Sequence, residues 1–197
     1  MGRYVIPFFT FVMLWISVFS TDVLADEELS REEILQQRMA YYIHFGEFLV
    51  PWYYLAAIDQ YERNIQSVRS DIPKRDSVIA IQFSEEYWDG PLNSSDGDSP
   101  ASDISYFGGM GLDGNGDGIA DRNNDEDIIY TMASYLNQFG LEEENFKLAL
   151  YEYYYTEEAV NQIMTIAKIY KYFNSIDLET HVFPIPVQHS YSYRSTW

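Results

Sequence analysis

Apolar positions are distributed in two ways along this chain: one almost unbroken run near the start, then stripes at helical spacing separated by breakers. The run, Val5 to Phe19, is about 15 residues long and falls short of the roughly 20 that span a bilayer. With Arg3 before it and Val23, Leu24 and Ala25 after it, residues 1–25 read as a signal peptide or an N-terminal anchor. Residues 26–48 have few breakers and acidic residues at their start, which predicts a helix whose first turn suits the helix dipole and which ends or bends at Gly46. Pro51 stands where a second helix takes its first residue, and Leu55, Ile58 and Ile65 share one stripe that runs to about Gln66. Residues 125–139, 143–155 and 157–173 predict three more helices, with Gly140 as a stop between the first two. Between these blocks, Gly90, Pro91, Gly97, Pro100, Gly108 and Gly109 make 84–112 read as a long irregular excursion. A mainly α fold follows, without the recurring period of a solenoid.

Composition narrows the partners and the chemistry. A chain of 197 residues, 47% of them hydrophobic, is enough for one full core. Twelve Lys and Arg against 31 Asp and Glu give a net charge of −19, which repels phosphate backbones and anionic lipid. Nucleic acid is therefore not an expected partner, and a membrane is expected only through the N-terminal segment. With no cysteine and three scattered histidines, disulfides, thiolate zinc sites and Cys nucleophiles are excluded, and carboxylates remain as the reactive groups.

Among those carboxylates Glu62 stands out. It lies four residues after Ile58 and three before Ile65, on the apolar stripe of the second helix. Burial there raises a carboxyl's pKa, and an acid still protonated near neutral pH is what glycosidic cleavage needs. The plainer reading is a Glu at the edge of the core, paired to Arg63 or to a backbone donor. Asp59, one turn earlier on the same face, reads as a neighbour that raises the pKa of Glu62 further.

Leu55, Ala56, Ala57, Ile58, Asp59, Gln60, Tyr61 and Glu62 resemble the segment that ends in the catalytic Glu of lytic transglycosylases, a superfamily with the goose-type lysozyme fold. Ile81, Gln82 and Phe83, followed by Trp88, are similar to that family's Met-Gln-Phe element. Ala149, Leu150, Tyr151, Glu152 and Tyr153 resemble its Ala-x-x-Tyr-Asn helix. The resemblance implies a lysozyme-like domain over 49–175, with Glu62 as the acid and base that cleaves the MurNAc–GlcNAc bond of peptidoglycan. Gln82, Tyr153 and Tyr154 would contact substrate, and Tyr153 by position takes the role of the tyrosine near the acid. Three departures bear on substrate contacts: Arg63 replaces a Ser, Ile79 to Ile81 replace Gly-Leu-Met, and Tyr154 replaces an Asn.

Asp113, Asn115, Asp117 and Gly118 spell the first half of an EF-hand loop, with hard oxygens at alternate positions and a Gly at the sharp turn. Ile119 would add its carbonyl. Position twelve is Asn124 where a bidentate Glu is expected, so Asp127 is the residue left to close a calcium site. The lengthened loop resembles that of membrane-bound lytic transglycosylases of the calcium-binding type; the alternative is a solvated acidic turn without an ion.

The 18 tyrosines include Tyr41, Tyr42, Tyr53, Tyr54 and Tyr153 to Tyr155, and such rings either stack on sugars or fill the boundary between core and water. Residues 176–197 leave the helical pattern and resemble the entry strand of a LytM-type zinc peptidase domain. The chain as a whole resembles the N-terminal half of two-domain bacillar cell-wall endopeptidases of the L-Ala-D-Glu type. His44, His181 and His189 have neither the His-x-x-x-Asp nor the His-x-His spacing of that zinc site, so no Zn2+ is expected in this chain. Three functions stay open at this level: an exported, extracytoplasmic lytic transglycosylase, a non-catalytic glycan-binding module of a zinc endopeptidase, or a structural helical bundle outside the membrane whose acidic loop binds calcium only for stability.

Overall fold

The computed structural model describes residues 30–47, 49–72, 75, 77–91 and 98–178. The expected leader over 1–25 and most of the 176–197 tail lie outside the described residues. Seven helices and one two-stranded sheet are present among them: α1 Arg31–Gly46, α2 Trp52–Val68, α3 Glu85–Asp89, β1 Asp98–Pro100, α4 Ala101–Tyr106, β2 Ile119–Asp121, α5 Asp125–Asn137, α6 Glu143–Tyr154 and α7 Glu157–Phe173. None of these helices is long and apolar enough to cross a membrane.

The helix starts follow from local chemistry. At α1 the hydroxyl of Ser30 accepts from the Glu33 N–H, and the Glu33 carboxylate accepts from the Ser30 N–H, a reciprocal cap that satisfies two orphan donors. The helix thus begins at Arg31, inside the expected 26–48 span, and stops at Gly46 as its sequence predicts. Thr156 caps α7 and Asn124 caps α5, each with a side-chain oxygen on the first-turn amides.

α2 is the centre of the molecule. Leu55, Ala56, Ala57, Ile58 and Asp59 are all buried, because the helix packs against α7, α1 and α5 on successive sides. Ile128, Ile129, Met132 and Leu136 of α5, Phe146 and Leu150 of α6, and Ile163 and Met164 of α7 complete one continuous core. Tyr54 stacks on Phe146 with ring centroids 3.9 Å apart, which joins α2 to α6.

The excursion expected to be irregular over 84–112 instead contains α3, β1 and α4. Its order comes from tertiary contacts that no periodicity signals. Trp88 is wholly buried and donates its ring N–H to the Ala120 carbonyl at 3.2 Å. The amides of Met110 and Gly111 bond the carbonyls of Tyr87 and Trp88, so the second half of the segment runs back along α3. A Cβ at Gly109 would stand 2.3 Å from the Trp88 carbonyl oxygen, and only glycine permits that crossing. β1 and β2 pair antiparallel, with Ser99 opposite Ala120, and fasten the excursion to the foot of α5.

Candidate active site

Glu62 occupies the middle of α2 and is half-buried. One of its carboxyl oxygens accepts from the Tyr154 hydroxyl at 2.6 Å. The Tyr154 ring is wedged edge-on between Tyr61, at 5.2 Å, and Tyr153, at 4.9 Å. Loss of hydration pushes the Glu62 carboxyl up to about 7; the Tyr154 hydrogen bond opposes the rise, and the negative charge of Asp59 adds to it. At neutral pH this group is therefore divided between its acid and base forms, the condition for giving a proton in one step and taking one in the next.

Tyr153 and Tyr154 leave α6 in different directions. The hydroxyl of Tyr153 donates to the Gln82 carbonyl at 2.9 Å, and its ring meets Phe83 edge-on at 5.7 Å. The hydroxyl beside the acid belongs to Tyr154, whereas the family resemblance points to Tyr153 for that place. The two tyrosines together tie the extended segment 79–83 and the acid to one turn of α6. Burial pushes both hydroxyls well above the ordinary tyrosine range, so both remain donors. Gln82 is half-buried beside them.

Asp59 acts on Glu62 as its spacing implied, through its charge, and has a second, structural part that spacing does not signal. It is fully buried, and its carboxylate accepts from Tyr42 at 2.6 Å and from Arg38 and Arg63 at 3.0 Å each. The other oxygen accepts the Ala80 N–H. Arg63 also reaches the Val78 carbonyl. Asp59 is thus a four-donor hub that fixes α1 and segment 78–80 to α2 one turn below Glu62. Arg38, and the pairing of Arg38 and Tyr42 with Asp59, escaped sequence reading, although their i,i+4 spacing would align them on one face of α1; nothing local to α1 announces an acidic partner 17 to 21 residues away.

The acidic loop ends in a second buried carboxylate. Asp127, in the first turn of α5 and with no solvent exposure, accepts from the amides of Gly114 and Asn115 at one oxygen and of Asp121 at the other, at 2.7, 3.2 and 2.8 Å. Asp113 accepts from the amides of Gly116, Asp117 and Gly118. Asn115 and Asp117 bond one another, and Asp117 accepts from Ile119 N–H. Asn124, at the twelfth position, is the helix cap of α5. The donor set is oxygen throughout and suits a hard divalent cation. Among the described residues, however, no three acidic or histidine side chains converge into a metal cluster.

The Tyr154 hydroxyl bonds the ionised carboxylate, so Tyr154→Phe removes stabilisation of the charged form. The Glu62 pKa is expected to rise above 7 in that variant, read from the pH titration of its side-chain carbon signal by NMR. An unchanged midpoint would show that Tyr154 does not govern the acid.

The fold and site define a helical domain with a half-buried carboxylic acid held by a tyrosine hydroxyl. Over 186 residues the chain is 40% identical to the L-Ala--D-Glu endopeptidase of Bacillus subtilis (strain 168), an alignment that takes in 93% of this chain and 57% of that protein. The chain thus spans a little over half the length of this curated relative. No family model matches the chain. No solved structure matches it either.

Proposed function

We propose that this chain acts on peptidoglycan outside the cytoplasm, at the cell wall, and cleaves the MurNAc–GlcNAc bond of the glycan strand by lytic transglycosylation. The observation that carries the reading is Glu62: a half-buried acid with a pKa of about 7, held by Tyr154 in a site bordered by Gln82 and Tyr153. The relative's name, an endopeptidase for a bond between L-Ala and D-Glu, supports peptidoglycan as the polymer. The lysozyme-like motifs around Glu62, Gln82 and Tyr153 support the glycan strand as the part attacked.

In the proposed reaction Glu62 gives its proton to the bridging oxygen as the glycosidic bond breaks. The substrate's own C6 hydroxyl oxygen attacks the anomeric carbon, and the Glu62 carboxylate takes up that hydroxyl's proton. A 1,6-anhydro sugar results, with no water consumed and Glu62 restored. Incubation of the chain with purified sacculi, followed by mass spectrometry of the soluble fragments, tests this: 1,6-anhydro muropeptides are expected, and their absence sinks the reading. The competing assignment, a non-catalytic glycan-binding module of a zinc endopeptidase, rests on the relative's endopeptidase name and its additional length. Retained sacculus binding without any anhydro product would favour it.

The oxygen-rich loop is assigned to Ca2+, held by Asp113, Asn115, Asp117, the Ile119 carbonyl and Asp127. The ion would neutralise crowded carboxylates and pin the start of α5. Saturating calcium is expected to raise the melting temperature, with a stabilisation of about 2.7 kcal/mol at a hundredfold excess over Kd. Chelator should reverse the rise, and Asp117→Ala should abolish the difference. A melting curve indifferent to calcium removes the metal.

A further inference from the structure

The turn between α6 and α7 contains a conformational oddity. Tyr155, which caps α6, has φ 54° and ψ 25°, the left-handed region that suits glycine and disfavours a bulky side chain. The corresponding left-handed cap after α7 is Asn174, and the positive-φ residue two places past the α5 cap is Gly140, residue types that tolerate such backbone. Burial does not offset the strain, because Tyr155 is 68% exposed. What its side chain does is reach across to α3, where its hydroxyl lies 3.3 Å from that of Tyr87, itself 40% exposed. Strain retained at an exposed aromatic position points to use of the ring.

The pair is continuous with the site around Glu62. The Tyr87 ring lies 6.0 Å from that of Tyr153, which in turn packs on Tyr154, the partner of Glu62. α3 is a firm support for Tyr87, since the buried Trp88 and the backbone bonds from Met110 and Gly111 hold it. Glu86 and Glu152 lie close enough to act electrostatically on Tyr87, which disfavours an anionic ligand and suits a neutral one. Tyrosine rings with hydroxyl tips match the apolar faces and hydroxyl edges of sugars.

We propose that Tyr87 and Tyr155 form a two-ring lip, joined to Glu62 through the rings of Tyr153 and Tyr154, that binds an uncharged strand of β-1,4-linked N-acetylhexosamine. This rests on the glycan reading above. The probe is chitotetraose, a neutral tetramer of N-acetylglucosamine, titrated calorimetrically into the full chain. Tyr155→Gly removes both strain and ring, so its melting temperature is expected to rise by about 2–4 °C. Its affinity should fall about tenfold, as should that of Tyr87→Ala. Tyr155→Phe keeps the ring and should restore most of the affinity lost in the Gly variant. Equal affinity in wild type, Tyr155→Gly and Tyr87→Ala overturns the lip, and so does failure of the wild type to saturate. Anhydro products are scored separately with Glu62→Gln. Their loss in that variant with unaltered binding in the tyrosine variants sinks the lip alone; their persistence with weakened binding in the tyrosine variants sinks the transglycosylase reading alone.

Discussion

Replacement of Glu62 by Gln is expected to reduce the yield of 1,6-anhydro muropeptides about a thousandfold, to the level of a buffer control. Gln keeps the size of the side chain and can still face the Tyr154 hydroxyl, but it has no proton to give at pH 7. The same variant has a second signature that separates chemistry from misfolding. A carboxyl whose folded pKa of about 7 stands above the usual 4.5 contributes stability that is whole below pH 4.5 and is lost as pH rises through 7. The wild type should therefore be less stable at pH 8 than at pH 4.5, with a loss from this group on the order of 3 kcal/mol. Glu62→Gln should remove that part of the pH dependence. A variant that is inactive and also less stable than wild type at pH 8 would show a structural Glu62 and contradict the assignment.

Asp59→Asn is expected to have the largest effect on stability, a loss of about 3–5 kcal/mol in urea unfolding. The wild-type carboxylate faces two guanidinium groups, and the Arg38 side chain is only 9% exposed. With Asn in place, Arg38 keeps the cost of desolvation without a counter-charge, and Ala80 N–H loses an anionic acceptor. Both arginines cannot retreat equally: Arg63 is 28% exposed and can turn to water, whereas Arg38 cannot. Combining Asp59→Leu with Arg38→Met should accordingly recover a large part of what Asp59→Leu loses alone, because the stranded charge is gone. Additive losses in the double variant would show that the hub holds the helices by packing and not by charge.

The relation between these two carboxylates shows how far residue spacing carries. Asp59 and Glu62 are three residues apart on one helix, and spacing alone reads Asp59 only as a neighbour that raises the pKa of Glu62. In the folded chain Asp59 faces α1 and is ion-paired with Arg38 and Arg63, while Glu62 faces α6 and accepts from one neutral donor. Their separation into a structural ion pair and a raised-pKa acid was decided by which helix packs on each side of α2. The same holds for Tyr153 and Tyr154. Adjacent residues on a helix differ by about 100° in direction, so a motif aligned to within one residue leaves open which hydroxyl meets the acid.

Much of the helical framework was written locally. The apolar period, the Ser30, Asn124 and Thr156 caps, and the breakers at Gly46, Pro51 and Gly140 all act within a few residues, and α2, α5, α6 and α7 lie within about two residues of where these signals put them. Segment 84–112 shows the opposite case. Its two short helices and its strand have little intrinsic stability, since a single turn of helix fixes many dihedrals for few hydrogen bonds. They exist because Trp88 is sealed under Ala120 and Gly111 and because β2 offers an edge to β1. Sequence alone thus determined where carboxylates and tyrosines fall along the helices, because caps and periodicity are short-range. Only the tertiary structure decided which of them are charged, paired or exposed, because hydration and the nearest donor depend on chain segments 15 to 92 residues away.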